Sequence, residues 1–476
     1  MGMFESLKKV VCLAGVMLFV ATGIAQGKKK AWVPDFPKKS NPPVSDSQTE
    51  PPNVNAAASI VKTAASPREI CSNLSPQTPE VGSGKHYFVS GKGRASAPCT
   101  ETSPCREVRS VLDKVRPGDV IHIADGHYQG LNINVNGMAG APISFIATGK
   151  GAFFDKTTDR GMDDRDTIMV TEASYIIIDG INVMGANRAG IRVDRSRHVT
   201  IRNSTFGDNS DWGIFTNFSD NLILEYNECF GSKRQHGIYV ADSSQNPTIR
   251  FNRLHGNANC GLHMNADFSS GPPGVIHGAL IEGNVIWGNG STGGAGINMD
   301  GIQDTVVMNN VLYDNGATGI VSFKQDAKEG PKNVKILNNT VLQRSGARMA
   351  FQVVASEGPI FVRNNIFFHP TPAKSGINYA SKTDLDNTDS DYNYLDRVAI
   401  DEAPKPLADF KAAHPNFEKH SFPIPELSEI FSDIKKYDLT LSATSPLKGK
   451  GLAVNEVKHD QSVRCRRPPP SIGAYD

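Results

Sequence analysis

The chain has 476 residues, with 50 Lys and Arg set against 49 Asp and Glu. A balance this even excludes a global field that would draw the protein onto nucleic acid or an acidic polymer, so any affinity for a polyanion must come from local Arg and Lys. Its 44 glycines point to many tight turns and away from long helices.

The first predicted element is an export signal over residues 1–25. Lys8 and Lys9 precede an apolar run from Val10 to Ala21, and Gly23 and Ala25 supply the small residues of a cleavage site after Ala25. The run falls short of the roughly 20 apolar residues that a bilayer span needs. Cys12 has no lipid-attachment motif before it. A secreted or periplasmic protein without a membrane span is expected. Residues 26–82, which include PDFPKKSNPPVSDSQTEPPN, lack apolar periodicity and read as a disordered linker.

Six cysteines follow the signal: Cys71, Cys99, Cys105, Cys229, Cys260 and Cys465. An even number in an exported chain allows disulfides. Cys99 and Cys105 bracket a short loop and could pair. Cys71 and Cys465 lie near the two ends of the folded region and could also pair, although four cysteines allow three connectivities. Cys229 falls at a core position and reads as a buried free thiol. None of the spacings is that of a zinc site.

Next, SPCREVRSVLDKV predicts a helix over 103–115, with Ser103 as N-cap, Pro104 at the first helical position, and Val108, Val111, Leu112 and Val115 on one face. RPGD ends it, and VIHIADGHY returns to strand.

From about residue 175 a repeat dominates. Gly190-Ile191, Gly213-Ile214, Gly237-Ile238, Gly261-Leu262, Gly296-Ile297 and Gly319-Ile320 recur at intervals of 23, 24, 24, 35 and 23. Asn203, Asn227, Asn252, Asn284, Asn310, Asn339 and Asn365 run in step. Short apolar strands at this period, with a turn Asn and little helix, mean a parallel β-solenoid, each turn supplying three strands. Asn suits the bend because it tolerates left-handed backbone angles and its amide can bond to the next rung. An aromatic column, Phe206, Phe230, His255, Trp287 and Tyr313, reads as a structural stack.

YFVSGKG followed by RPGDVIHIADGHY, the rung-like HGIYVADSSQNPTIRFN and VVMNNVLYDNGATGI, and the closing SPLKGKG and SIGAYD together carry a resemblance. The chain resembles the exported right-handed parallel β-helix repeat proteins of the pectate-lyase-like superfamily, over about residues 86–476. The right hand and the capping helix are what this resemblance implies. The expected fold is all-β, with a β-helix over 83–370 and a C-terminal extension, 371–476, packed on it. The superfamily contains lyases, hydrolases, epimerases and non-catalytic binders, so the reaction is left open.

Stacked rungs set like positions about 4.8 Å apart. The residue after each Gly points inward and the next points outward, giving the column Arg192, Phe215, Tyr239, His263, Asn298, Val321. Two residues on, a second column reads Asp194, Asn217, Ala241, Asn265, Asp300, Phe323. Asp242, Asp267 and Lys324 lie at the strand ends, and His236 borders the same surface. Insertions FSSGPPGVIHG after Asp267 and KQDAKEGPK after Phe323 would rise beside this patch and wall a groove. A single outward His or Asp is ordinarily solvated surface; convergence between two insertions is what marks the patch as functional.

The leading expectation is β-elimination on a uronate polysaccharide. It needs donors for the carboxylate, a base for the adjacent C–H and an acid for the leaving oxygen. Lys324, His263 or His236 could be the base and Tyr239 or a protonated His the acid. Arg192, Asn217, Asn265 or Asn298 could hold the carboxylate. Asp267 and Asp300, with Asn265 and Asn298, are the candidate ligands for Ca²⁺, the cofactor the resemblance implies. Two alternatives stay open. One is a glycoside hydrolase or epimerase, with Asp267 and Asp300 as paired carboxylates, though the Gly-His-Gly and paired-Asp motifs of β-helical polygalacturonases are missing. The other is a non-catalytic carbohydrate-binding surface protein. The expected partner is an acidic glycan, without nucleic acid, and a monomer is expected.

Overall fold

The computed structural model describes residues 70–71, 76–156 and 165–476. The expected export signal and most of the expected linker lie outside the described residues. Among the described residues three long sheets of 13, 12 and 11 strands run side by side, and successive strands of the chain visit them in turn. The first sheet extends from His86–Arg94 to Thr388–Asp391, the second from Leu131–Ile133 to Arg397–Ile400, and the third from Gly126–Gln129 to Tyr394–Leu395. Rung-to-rung pairing is parallel, and Ala403–Pro406 closes the far edge of the second sheet as an antiparallel strand.

The register follows the repeat. Ile191, Ile214, Ile238, Leu262, Ile297 and Ile320 pair in succession and are fully buried. Each such side chain stabilises the coil by roughly 1.5–3 kcal/mol relative to exposure. The glycine before each is demanded by a close approach between rungs. A Cβ on Gly237 would lie 2.8 Å from the carbonyl oxygen of Gly261, and one on Gly261 would lie 2.5 Å from Ile286.

The Asn amides bond from rung to rung as expected, but the bend itself lies elsewhere. Asn227, Asn252, Asn284, Asn310, Asn339, Asn365 and Asn393 form a buried ladder in which each Nδ2 donates to the next Oδ1 at 2.9–3.1 Å. The left-handed bend sits one residue earlier, for example at Tyr226 (φ 55°), Phe251 (φ 55°) and Asn309 (φ 57°). Asn203 is itself such a bend residue (φ 52°). Ser204 takes its rung place, with its N–H donating to Asn227 Oδ1 at 3.1 Å.

Both expected disulfides form, Cys71–Cys465 and Cys99–Cys105, and Cys229 and Cys260 are buried free thiols. The helix over 103–115 shrinks to Arg109–Leu112. The reason is the second disulfide: Cys105 makes β-bridges to Val89 and Arg94, so Ser103 and Pro104 stay in a clamped loop and cannot start a helix. The parallel ladder also continues past residue 370, through Ile377–Tyr379 and Arg397–Ile400. The aromatic column begins at Phe230, which stacks through His255 and Trp287 to Tyr313. Phe206 pairs instead with Cys229 and belongs to the core, one residue out of step.

The two ends of the described chain meet on the first sheet. Glu225, Arg250 and Glu282 occupy one column there. Arg250, 0% exposed, donates to Glu225 at 2.8 Å, to the carbonyl of Pro76 at 2.9 Å and to Thr78 at 3.0 Å. His459, from the C-terminal segment, pairs with Glu282 at 2.9 Å. The Cys71–Cys465 bond ties the same two segments together. The rest of that segment lays Ile430, Phe431, Leu439 and Leu447 over Tyr313, Leu342 and Ile366 of the third sheet. No helix among the described residues is long and apolar enough to cross a membrane.

Candidate functional site

The outward face of the second sheet carries the predicted columns in register. Arg192 pairs with Phe215, then Tyr239, His263, Asn298 and Val321 follow, one per rung. At one end the face is aromatic: Trp212 stacks on Phe215 at 4.5 Å between ring centroids, Phe215 stacks on Tyr239 at 5.4 Å, and the Arg192 guanidinium lies 5.5 Å over Phe215. Arg192 is also held by Asp166 and Asp194 at 3.9 and 3.7 Å.

In the middle lies a compact group. The His236 and His263 rings stack at 4.5 Å and 13°, and Tyr239 meets both edge-on, at 5.2 and 4.9 Å. Cys260 stands beside them, its backbone N–H donating to His236 Nδ1 at 3.1 Å and its Sγ 3.7 Å from His263 Nδ1. Burial drives His263 down to about 4 and, with the neighbouring His263, holds His236 well below the usual imidazole range. Both rings are therefore neutral near pH 7. Burial also pushes the Cys260 thiol up to about 12. Asn265 Nδ2 donates to Tyr239 Oη and to Asp326, each at 3.4 Å. Several polar atoms of this face are buried without a hydrogen-bond partner among the described residues: Arg192 Nε, Trp212 Nε1, Asn217 Oδ1, Asn265 Oδ1 and Asn298 Oδ1.

The two insertions bind each other and form one wall. Asp267 bridges to Ala327, the Phe268 N–H donates to Asp326 O at 3.0 Å, and the Lys328 N–H donates to Gly274 O at 2.9 Å. Asp300 anchors this wall from below, accepting from the Gln325 and Asp326 N–H groups at 2.9 and 2.7 Å. Burial outweighs those bonds and raises its carboxyl to about 6.

Residues 87–230 match a family described as Pel9A-like, right handed beta helix region, and residues 276–389 match one described as Right handed beta helix region. The chain is a right-handed parallel β-helix protein. Its coil is similar to the crystal structure of pectate lyase Pel9A, with a TM-score of 0.53 and 17% identity over 83% of this chain and 97% of that one. It also matches alginate lyase from Paenibacillus sp. str. FPU-7 (TM-score 0.46, 20% identity, 59% of this chain and 94% of that one). The A-module of mannuronan C-5 epimerase AlgE4 from Azotobacter vinelandii matches with a TM-score of 0.40 and 15% identity, over 59% of this chain and 85% of that one. At these identities the likeness is one of fold. No curated protein matches the chain.

Of the predicted site residues, this β-helix brings His236, Tyr239 and His263 together, with Asn265 on the His263 strand and Asn298 on the next rung. Arg192 and Asn217 lie toward the aromatic end, where Asn217 donates to Asp194 at 2.8 Å. Lys324 is ion-paired to Glu357 at 2.6 Å. Asp267 and Asp300, the expected Ca²⁺ ligands, both accept hydrogen bonds from the inserted loops. Both oxygens of each are engaged, Asp267 by the Ser269 N–H at 2.8 Å and the Ser270 hydroxyl at 3.1 Å, Asp300 by the wall. Among the described residues the one cluster of three His, Cys or carboxylate donors is His236, Cys260 and His263, whose nitrogen and sulfur atoms are not calcium ligands. Sequence reasoning missed Cys260 and Trp212. Both precede a marker glycine, as His236 does, so the same register would have placed them on this face.

Proposed function

We propose that this β-helix is an exported polysaccharide lyase that cleaves a uronate-containing glycan by β-elimination. The observation that carries the reading is which proton-transfer groups converge on the face. The two carboxylates a hydrolase would use are spent on the wall, whereas His236, His263 and Tyr239 converge beside it. Imidazole and phenol suit the removal of a carbon-bound proton and the protonation of a leaving alkoxide.

In this mechanism His263 takes the proton next to the uronate carboxyl, the C–H pair becomes the new C=C bond, and the glycosidic C–O bond breaks. Tyr239 gives its proton to the departing oxygen. The side-chain N–H groups of Asn298 hold the carboxylate as charge develops on it, while the Asn265 amide donates to Tyr239 and Asp326. With an imidazole near 4, the base stays unprotonated well into mild acid, so the acid limb of the rate profile should lie close to pH 4. The test is a panel of pectate, alginate and glycosaminoglycan substrates, followed by ultraviolet absorbance of the unsaturated product. New reducing ends without that absorbance would mean hydrolysis. Retardation in a polymer-loaded gel without either would mean a binder.

A further inference from the structure

His236, Cys260 and His263 place their donor atoms within 4.8 Å of one another, which is the spacing of a small metal site. Hydrogen-bond accounting points elsewhere. His236 Nδ1 already accepts the Cys260 backbone N–H, at 3.1 Å. A neutral ring that accepts at Nδ1 carries its proton at Nε2, so neither nitrogen has a lone pair left for an ion. The two rings are also stacked at 13°, and lone pairs in nearly parallel planes cannot converge on one centre.

The thiol settles the other ring. Cys260 Sγ has one proton and three neighbours: Asn259 Oδ1 at 3.3 Å, the Ala295 N–H at 3.3 Å, and His263 Nδ1 at 3.7 Å. Oxygen is the stronger and nearer acceptor, so the S–H goes to Asn259. The sulfur lone pairs then face two donors, the Ala295 N–H and a proton on His263 Nδ1. His263 Nε2 has no partner among the described residues and is left unprotonated toward the groove.

We infer that Cys260 is a positioning residue that holds the two stacked imidazoles in opposite tautomers. Its backbone N–H makes His236 an Nε2–H donor, and its thiol makes His263 an Nε2 acceptor. A donor and an acceptor side by side match a sugar hydroxyl, which both accepts and donates. The assignment deepens the lyase reading by saying which nitrogen of His263 is the base, and it rests on that reading only for its kinetic consequence.

The test is two-bond ¹H–¹⁵N NMR on the full-length protein with ¹⁵N-labelled histidine at pH 7, assigned with His236→Gln and His263→Gln. His236 should show an unprotonated Nδ1, and His263 an unprotonated Nε2. Cys260→Ala keeps the backbone N–H but loses the sulfur, so His236 should stay as it is while His263 shifts toward the Nε2–H tautomer. Cys260→Ser, whose hydroxyl can still accept, should restore the wild-type His263 spectrum. On a substrate from the panel, Cys260→Ala should lose roughly tenfold in turnover, less than the ~10²-fold of losing a base outright, and Cys260→Ser should regain it. The same tautomer on both rings, an unchanged His263 spectrum in Cys260→Ala, or Zn²⁺ shifting both rings at stoichiometric amounts would each overturn the inference. The spectra are read without any substrate, so opposite tautomers in a protein inactive on every glycan would sink the lyase reading alone.

Discussion

Glu225, Arg250 and Glu282 on the first sheet and Tyr239, His263 and Asn298 on the second stand in equivalent columns, one residue per rung, pointing away from the core. The first column is closed. Arg250 meets Glu225, Thr78 and Pro76, Glu282 meets His459, and the two chain ends that cover them are joined by a disulfide. The second column leaves the Oδ1 of Asn298 buried without a partner among the described residues, beside two neutral imidazoles. A solenoid stacks like residues whatever they are, so stacking alone says nothing about function. What separates a staple from a recognition surface is whether other segments of the chain cover the column, as residues 76–78 and His459 cover the first.

The contrast should break most severely under the groove itself. Met264 follows His263 but points inward and is fully buried. Met264→Asp buries an unpaired charge in the coil and should abolish cooperative unfolding, seen as loss of the circular-dichroism melt. The staple comes next. Arg250→Ala leaves Glu225 and Glu282 facing each other under the terminal segments, and should cost about 3–5 kcal/mol in denaturant unfolding. At a temperature where the variant stays folded its turnover should be unchanged, because Arg250 is on another sheet.

The two regions should also titrate with opposite sign. Burial alone would lower His459, but its bond to Glu282 and the charges of Glu282 and Asp460 outweigh that and raise it above 6.5. Its contribution is full below the unfolded value of about 6.5 and fades as pH rises through the folded one. His263 is lowered to about 4, so the unfolded chain takes up a proton first, and stability is lost as pH falls from about 6.5 toward 4. Urea midpoints measured from pH 4 to 8 should separate them. His459→Gln should narrow its deficit against the wild type as pH rises, and His263→Ala should gain on the wild type as pH falls. If both variants tracked the wild type in parallel, neither ring would be coupled to folding as described.

The rungs were legible because the inward Gly-Ile pairs repeat at a period that only a coil explains, and the groove face because strand alternation is strict. What could not be read came from backbone groups without periodicity. Asp267 and Asp300 look like ligands in sequence, but the N–H groups of Ser269, Gln325 and Asp326 claim their oxygens once the inserted loops fold. The 103–115 helix failed because a six-residue disulfide loop overrides a good N-cap. Phe206 was misassigned by one residue, enough to exchange core for surface in a strand. The ladder past residue 370 was hidden because Ala350-Phe351 replaces the Gly-Ile pair on one rung, which masks the return of the pair at Gly376-Ile377 and of the ladder at Asn393.

The smallest expected change in stability belongs to the residue with the largest expected change in activity. His263 is outward and half-buried, its Nε2 makes no bond within the described chain, and its ring rests on His236, which keeps Tyr239 at its edge. His263→Ala therefore removes the contacts with His236, Tyr239 and Cys260 but opens no core cavity, and near neutral pH should shift stability by roughly 1 kcal/mol, less than Arg250→Ala. Loss of the base should lower turnover by about 10²-fold or more on any substrate the protein cleaves. Arg250→Ala should do the reverse, with much stability lost and little activity. If His263→Ala and Tyr239→Ala both kept full turnover, the uncovered column would be ordinary wet surface, and the difference between the two sheets would no longer mark a site.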